Sequence, residues 1–388
     1  MSLACRGLWL ASLAGVVLSA CGSRTPDSAS VLGAGGSAGT TGGGGTTGSA
    51  GTSGAGGAAV TTGGYDAGGR IDAQGDFGID ARRDSSGNVA GDLAKLKLFY
   101  LDVTGGRVLT ANALNPVARV LVAAAGQGPD GIAVDVHAGH LYWTGMGVPS
   151  ANDGFVMRAN LDGSNVQTLV PAGGTYTPKQ MKLDLAGGKL YWSDREGMRV
   201  MRANLDGSQI EALVTTGQGD ADRMNAANWC VGLALDLAAG YVYWSQKGPA
   251  NGHVGSLRRA HIVMPVGQTS VNRTDVEILY DKLPEPIDID LDVDAGLIYW
   301  TDRADNTVSR APIAIPAGFT ASTRADRRIL VTGVATAIGV ALDLDRRKVY
   351  YTSGANGALG RANLDGTENE SLIPTAGNLT GIALGELP

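Results

Sequence analysis

KLYWSDREGMRVMRANLDGS, Lys189–Ser208, decides how this chain is read, because the chain repeats it. HLYWTG begins at His140, YVYWSQ at Tyr241, LIYWTD at Leu297 and KVYYTS at Lys348. RANLDG begins at Arg158, Arg202 and Arg361. Ahead of each aromatic pair stands a short apolar run: GIAVDV from Gly131, QMKLDL from Gln180, GLALDL from Gly232, IDLDV from Ile289 and GVALDL from Gly339. Each run carries an aspartate, at Asp135, Asp184, Asp236, Asp292 and Asp343. Each aspartate lies seven residues before a tyrosine, at Tyr142, Tyr191, Tyr243, Tyr299 and Tyr350. The turn between them is short and of hairpin type. Successive tyrosines are 49, 52, 56 and 51 residues apart. A fixed period of strands and turns without helical patterning predicts a propeller or a similar array. Four strands of ordinary length fill such a period.

These motifs resemble the YWTD, or class B, repeats of the low-density lipoprotein receptor family. YWTD stands intact at Tyr299–Asp302 and YWSD at Tyr191–Asp194. Ten residues separate the second aromatic from the arginine in Trp192–Arg202, Trp300–Arg310 and Tyr351–Arg361. The resemblance covers residues 95–388 and implies an all-β fold, a six-bladed propeller of four-stranded blades. KLFYLDV from Lys97 is a second strand without a first, and GIALGELP at the end is a first strand without a second. The C-terminal strand is therefore expected to complete the first blade, which removes open sheet edges. Leu101, and Gly385 where an aspartate is due, mark that blade as divergent. The paired aromatics, Trp143 and Trp244 included, are expected to fill the space between blades. The resemblance implies that the motif Asp and Arg residues, such as Asp194, Asp302, Arg202, Arg310 and Arg361, join neighbouring strands and blades. LDG reads as a turn with glycine at positive φ.

The 388 residues carry a net charge of −6, which argues against nucleic acid as a partner. Residues 1–20 read as a targeting segment: Arg6, an apolar run from Leu8 to Val17, then small residues. Leu18-Ser19-Ala20-Cys21 resembles the lipobox of bacterial lipoproteins, which implies lipidation at Cys21; the alternative is an ordinary secretory signal with an incidental cysteine. Gly22 after that cysteine favours the outer membrane, on either its periplasmic or its outer side. Residues 21–94 are mostly Gly, Ser, Thr and Ala, a composition that cannot bury a core and is expected to form a disordered tether. About 70 such residues have a typical end-to-end distance of roughly 45–50 Å. The remaining cysteines besides Cys21 are Cys5 and Cys230, so no disulfide framework is expected, and Cys230 reads as a small buried hydrophobe.

Propellers bind at the channel mouth, on loops joining second to third strands and fourth strands to the next blade. Long ones are MGVPSANDG after Trp143 and Thr144, QKGPANGHVG after Trp244 and Ser245, PAGGTYTP from Pro171, TTGQGDADRMNAANW from Thr215 and DKLPEP from Asp281. They present Tyr176, Lys179, Asp220, Asp222, Arg223, Asn228, Trp229, Lys282 and Glu285 as candidate ligand contacts. Trp229 either anchors a partner, as aromatics and arginines do in interfaces, or caps the core. Two further insertions, IVMPVGQTSVNRTD and PIAIPAGFTASTRAD, join third to fourth strands and are expected on the opposite face as spacers.

Catalysis is not expected. Of four histidines, only His253 reaches the mouth, and one histidine is not a dyad. DIDLDVD from Asp288 has the look of a calcium run, but its strand is expected to be central in its blade; no metal and no cofactor is assigned. The reading is a monomeric, lipid-anchored recognition module for a protein, peptide or glycan. A six-bladed-propeller hydrolase or lyase and a structural envelope protein are the alternatives.

Overall fold

A computed structural model of the chain describes residues 93–387. The expected leader, Cys21 and nearly all of the Gly-rich stretch lie outside the described residues.

Six four-stranded antiparallel sheets follow one another along the chain. Blades two to six begin on the strands Pro129–Asp135, Pro178–Asp184, Cys230–Asp236, Pro286–Asp292 and Ala337–Asp343, which line the channel. Blade one takes its inner strand from the C-terminus: Leu379–Glu386 pairs with Leu96–Asp102, as expected from the two half-units. The aspartates that end the inner strands close the hairpins. Asp135, Asp184, Asp236, Asp292 and Asp343 each accept the backbone N–H three residues on, at 2.7–3.0 Å.

Strand alternation explains why the aromatics come as a pair. Adjacent residues point to opposite faces of a sheet. Trp143, Trp192, Trp244 and Trp300 therefore pack toward the preceding blade, and Tyr142, Tyr191, Tyr243 and Tyr299 toward the following one. All eight are fully buried. Each of the six junctions has its own apolar cluster, and Tyr100 with Tyr350 fills the closing junction between blades six and one.

The third letter of the motif makes the direct bond between blades. Thr144 Oγ1 accepts from Gly131 N of its own blade at 2.8 Å and donates to Lys179 O of the next at 2.7 Å. Ser193 donates to Gly232 O, Ser245 to Ile287 O, Thr301 to Ile338 O and Thr352 to Thr380 O. Blade one has Leu101 at this position, which cannot donate; Thr380, on the inner strand, donates to Pro129 O instead and completes the ring. The inner strands come so close that a side chain at Gly131 would put Cβ 2.3 Å from Lys179 O.

The motif aspartates and arginines act elsewhere. Asp194 accepts from Tyr176 N and Thr177 N, and Asp302 from Glu285 N, so each fixes the crossover that enters its own blade. Asp102 does the same for Asn378 N. Arg202 and Arg361 pair with Glu211 and Glu370 on the neighbouring strand of the same blade, and Arg310 donates to Tyr299. The arginine contacts thus lie within blades.

Two expectations are corrected. The strand Pro286–Asp292 is the inner edge of its blade, not a central strand. Asp288 and Asp290 face the next inner strand and accept Val340 N and Leu342 N, each at 3.0 Å, while Asp292 closes its hairpin. Lys182 reaches from blade three to Asp290 of blade five at 3.1 Å, against a channel wall otherwise of Ala133, Ala234, Ala341 and Ala383 at this level. No group of three or more metal-ligating side chains occurs among the described residues. The two insertions, second, are rim covers as well as third-to-fourth connections. Arg273 Nη1 donates to Leu213 O and Thr215 N to Ser270 O; Arg324 Nη1 donates to Leu279 O and Asp281 N to Ala321 O. They occupy the open outer edges of blades three and four, which exposed backbone would otherwise leave sticky. At the outer edge of blade two the LDG turn of blade three has this place: Gly207, at φ 84°, packs against Leu169 O.

Two measurements test these assignments. Thr144→Val keeps the shape but leaves Gly131 N and Lys179 O buried and unpaired, so denaturant unfolding should show a loss of about 3 kcal/mol, against about 1 or less for Thr144→Ser. Equal tolerance of both would remove the hydroxyl from its role. Burial pushes the Asp288 carboxyl up to about 7, outweighing the nearby Lys182 charge. Its contribution to stability is therefore full in acid and lost as pH rises through about 7. Relative to the parent, Asp288→Asn should gain on the order of 4 kcal/mol between pH 4 and 8 in denaturant melts. A constant difference would contradict this.

Candidate functional site

Antiparallel alternation puts the second-to-third connections and the between-blade crossovers on one face, at the channel mouth. The longest crossover, residues 216–229, runs from blade three to blade four. Gly219–Arg223 makes one helical turn there, with Asp220 and Asp222 favourable at its N-terminal end. Asn225 then caps the 3-10 turn Ala226–Asn228 by accepting from Ala227 N. These two turns carry the chain outward and return it at Trp229.

The fold brings most of the expected residues together here. The Arg223 guanidinium lies 4.1 Å from the centre of the Tyr176 ring and donates to Glu196 O at 2.7 Å. Tyr176 donates its hydroxyl to Ser150 O, which ties the crossover into blade three to the long loop of blade two. Trp229 donates Nε1 to Arg223 O at 2.8 Å, and Asn228 Nδ2 donates to Asp222 O. The Trp229 ring is half-buried and belongs to none of the apolar clusters; two cations lie over it instead, Arg195 at 5.1 Å and Lys247 at 5.6 Å. Such pairs contribute about 0.5–2 kcal/mol each, more as water is excluded.

Four candidates are placed otherwise. Lys179 is buried, paired with Asp130 at 2.5 Å, and Gln180 holds the other oxygen of that carboxylate. Glu285 is buried under two cations, Lys247 and Arg303. Both residues position the mouth rather than face solvent. Lys282 is exposed at φ 59°, near the end of the outer strand Glu277–Leu283 of blade four and not on the crossover, and Asp220 is exposed beside Arg223. Burial lowers the pKa of Lys179 and of Lys247, against the pull of their carboxylate partners. Cys230, beneath the crossover, is fully buried, and burial pushes its thiol up to about 12, so it packs as an inert apolar group.

Selecting by loop length passes over Arg195, Glu196 and Arg303. They sit in tight turns directly after YWSD and YWTD, where the motif itself carries them to the mouth. A charged residue one position after the motif was the available signal. Lys247 occupies the same place after YVYWSQ. The histidines lie apart: His137 and His140 at a first-to-second turn, His261 at the end of a third strand, His253 in the mouth loop of blade four.

No known family model matches the chain. A low-density lipoprotein receptor-related protein 1 of Pyricularia oryzae is 40% identical over 289 residues, which is 72% of this chain and 92% of that protein. A 3-hydroxyacyl-CoA dehydrogenase-like protein, LAM1, of Cochliobolus heterostrophus is 35% identical over 267 residues; the match spans 66% of this chain and just over half, 56%, of that protein. Mouse nidogen-2 is 36% identical over 89 residues, 23% of this chain and 6% of that protein. Among solved structures, a nidogen/laminin complex superposes with a TM-score of 0.58 at 19% identity, covering 74% of this chain and 98% of that one. TolB from Acinetobacter baumannii superposes at 0.52 with 12% identity, covering 76% and 67%. These structures share the fold. The repeats, the closed six-bladed ring and the near full-length relative lead to one conclusion: the chain belongs to the YWTD, or low-density lipoprotein receptor class B, family of β-propellers.

Proposed function

We propose that this chain is an extracytoplasmic recognition module that binds a protein ligand at the channel mouth of blades three to five, one copy acting alone. The observation that carries the reading is the cluster of Trp229, Arg195, Lys247, Arg223 and Tyr176. Here, at the channel mouth, a long crossover departs from the repeat and stacks cations on half-exposed aromatics. Aromatic and arginine side chains of this kind dominate binding energy in protein interfaces. A nidogen propeller occurs in a solved complex with laminin, which favours a protein over a glycan. The leader-like start and Leu18-Ser19-Ala20-Cys21 support lipid anchoring in a bacterial envelope, with the Gly-rich stretch as a leash. The cluster offers no nucleophile with a paired base, which disfavours catalysis.

The test is capture from envelope extract by the intact chain, beside Trp229→Ala/Arg223→Ala. A partner held by the parent and lost by the double variant, with unchanged thermal melting, supports recognition at the mouth. Equal capture by both moves the site elsewhere.

A further inference from the structure

The cations of the mouth cluster share fewer side-chain partners than they have donors. Lys179, Arg195, Lys247 and Arg303 meet Asp130, Glu196 and Glu285 around the channel opening. Lys179 pairs with Asp130 and Arg195 with Glu196, but Lys247 and Arg303 share the single carboxylate of Glu285. Two cations thus share one carboxylate. Donors are left over. Arg195 uses Nε and Nη2 on Glu196, and Arg303 uses Nε and Nη2 on Glu285. Neither Nη1 has an acceptor among the described residues, and Lys247 Nζ has Glu285 alone. After burial, nearby positive charge contributes to lowering the pKa of both lysines, Arg195 for Lys179 and Arg303 with Arg195 for Lys247.

We propose that the partner's anchoring group is a carboxylate, received by Arg195, Lys247 and Arg303 beside the Trp229 ring. The inference rests on the recognition reading above and adds the chemistry of the ligand: an acidic segment of a protein. A carboxylate has the acceptor lone pairs that the vacant guanidinium donors require, and charge-assisted bonds of this kind are the strong ones. Asp153, Asp220 and Asp222 lie on mouth loops flanking this centre.

Trp229 reports the event directly. Of the five tryptophans in the described residues, the other four are fully buried. The intact chain is titrated with acetylated tetraglutamate amide, tetraglutamine amide and tetralysine amide at one ionic strength, following tryptophan emission. The variant is Arg195→Gln with Glu196→Gln, so that no buried carboxylate is stranded, and its melting is checked. Saturable change with tetraglutamate alone, weakened about tenfold or more in the variant, is the expected result. Equal response to tetraglutamine, no response to tetraglutamate, or an unweakened variant overturns the carboxylate anchor. If the anchor fails while capture still depends on Trp229 and Arg223, recognition at the mouth stands without it. If tetraglutamate binds while capture ignores those residues, the anion site stands and the recognition reading falls.

Discussion

A hydroxyl held between two inner strands is the contact on which this ring depends. Each such Thr or Ser donates to a carbonyl of the next blade, and the five at the motif's third letter with Thr380 carry the bonding around to the start. The spacing this contact imposes explains the inner wall. Backbones this close admit glycine at four of the six equivalent positions, Gly131, Gly232, Gly339 and Gly381. Two positions later the wall is mostly alanine. At these two levels the large side chains, Gln180, Lys182, Asp288 and Asp290, belong to blades three and five. Those blades, with blade four between them, also carry the mouth cluster.

The fold was legible because it is written five times. Period, hairpin spacing and the two half-units at the ends determined blade number and closure without reference to any single contact. Alternation within YW determined which aromatic faces which neighbour. The hydroxyl contact was harder to see. Thr and Ser at the third letter vary as any surface pair would, and only the approach of the next blade makes the hydroxyl indispensable. The substitution of Leu101 was visible, but its compensation by Thr380 comes from a strand 279 residues away in sequence. The insertions misled for a related reason: sequence shows which strands a loop joins, whereas Arg273 and Arg324 reach across to the blade before.

The mouth was legible in part. Long crossovers pointed to Tyr176, Arg223, Asn228 and Trp229, and the fold gathers these four. Lys179 and Glu285 looked like ligand contacts because charged residues in loops usually face water. Here they are buried partners that hold other charges in place. Arg195 and Arg303 were hidden by the brevity of their turns. A site assembled from three blades is a juxtaposition of residues far apart in the chain, and the repeat pattern carries no record of which variant positions meet.

Recognition at the mouth of blades three to five is the central claim, and hydrogen exchange on the intact chain tests it most directly. Exchange is followed with and without the captured partner. The account predicts slowed amides in residues 172–179, 195–198, 216–229 and 247–254, with the outer strands unchanged. Protection confined to the rim insertions, 262–276 and 313–327, with the mouth loops exchanging as before, would contradict it.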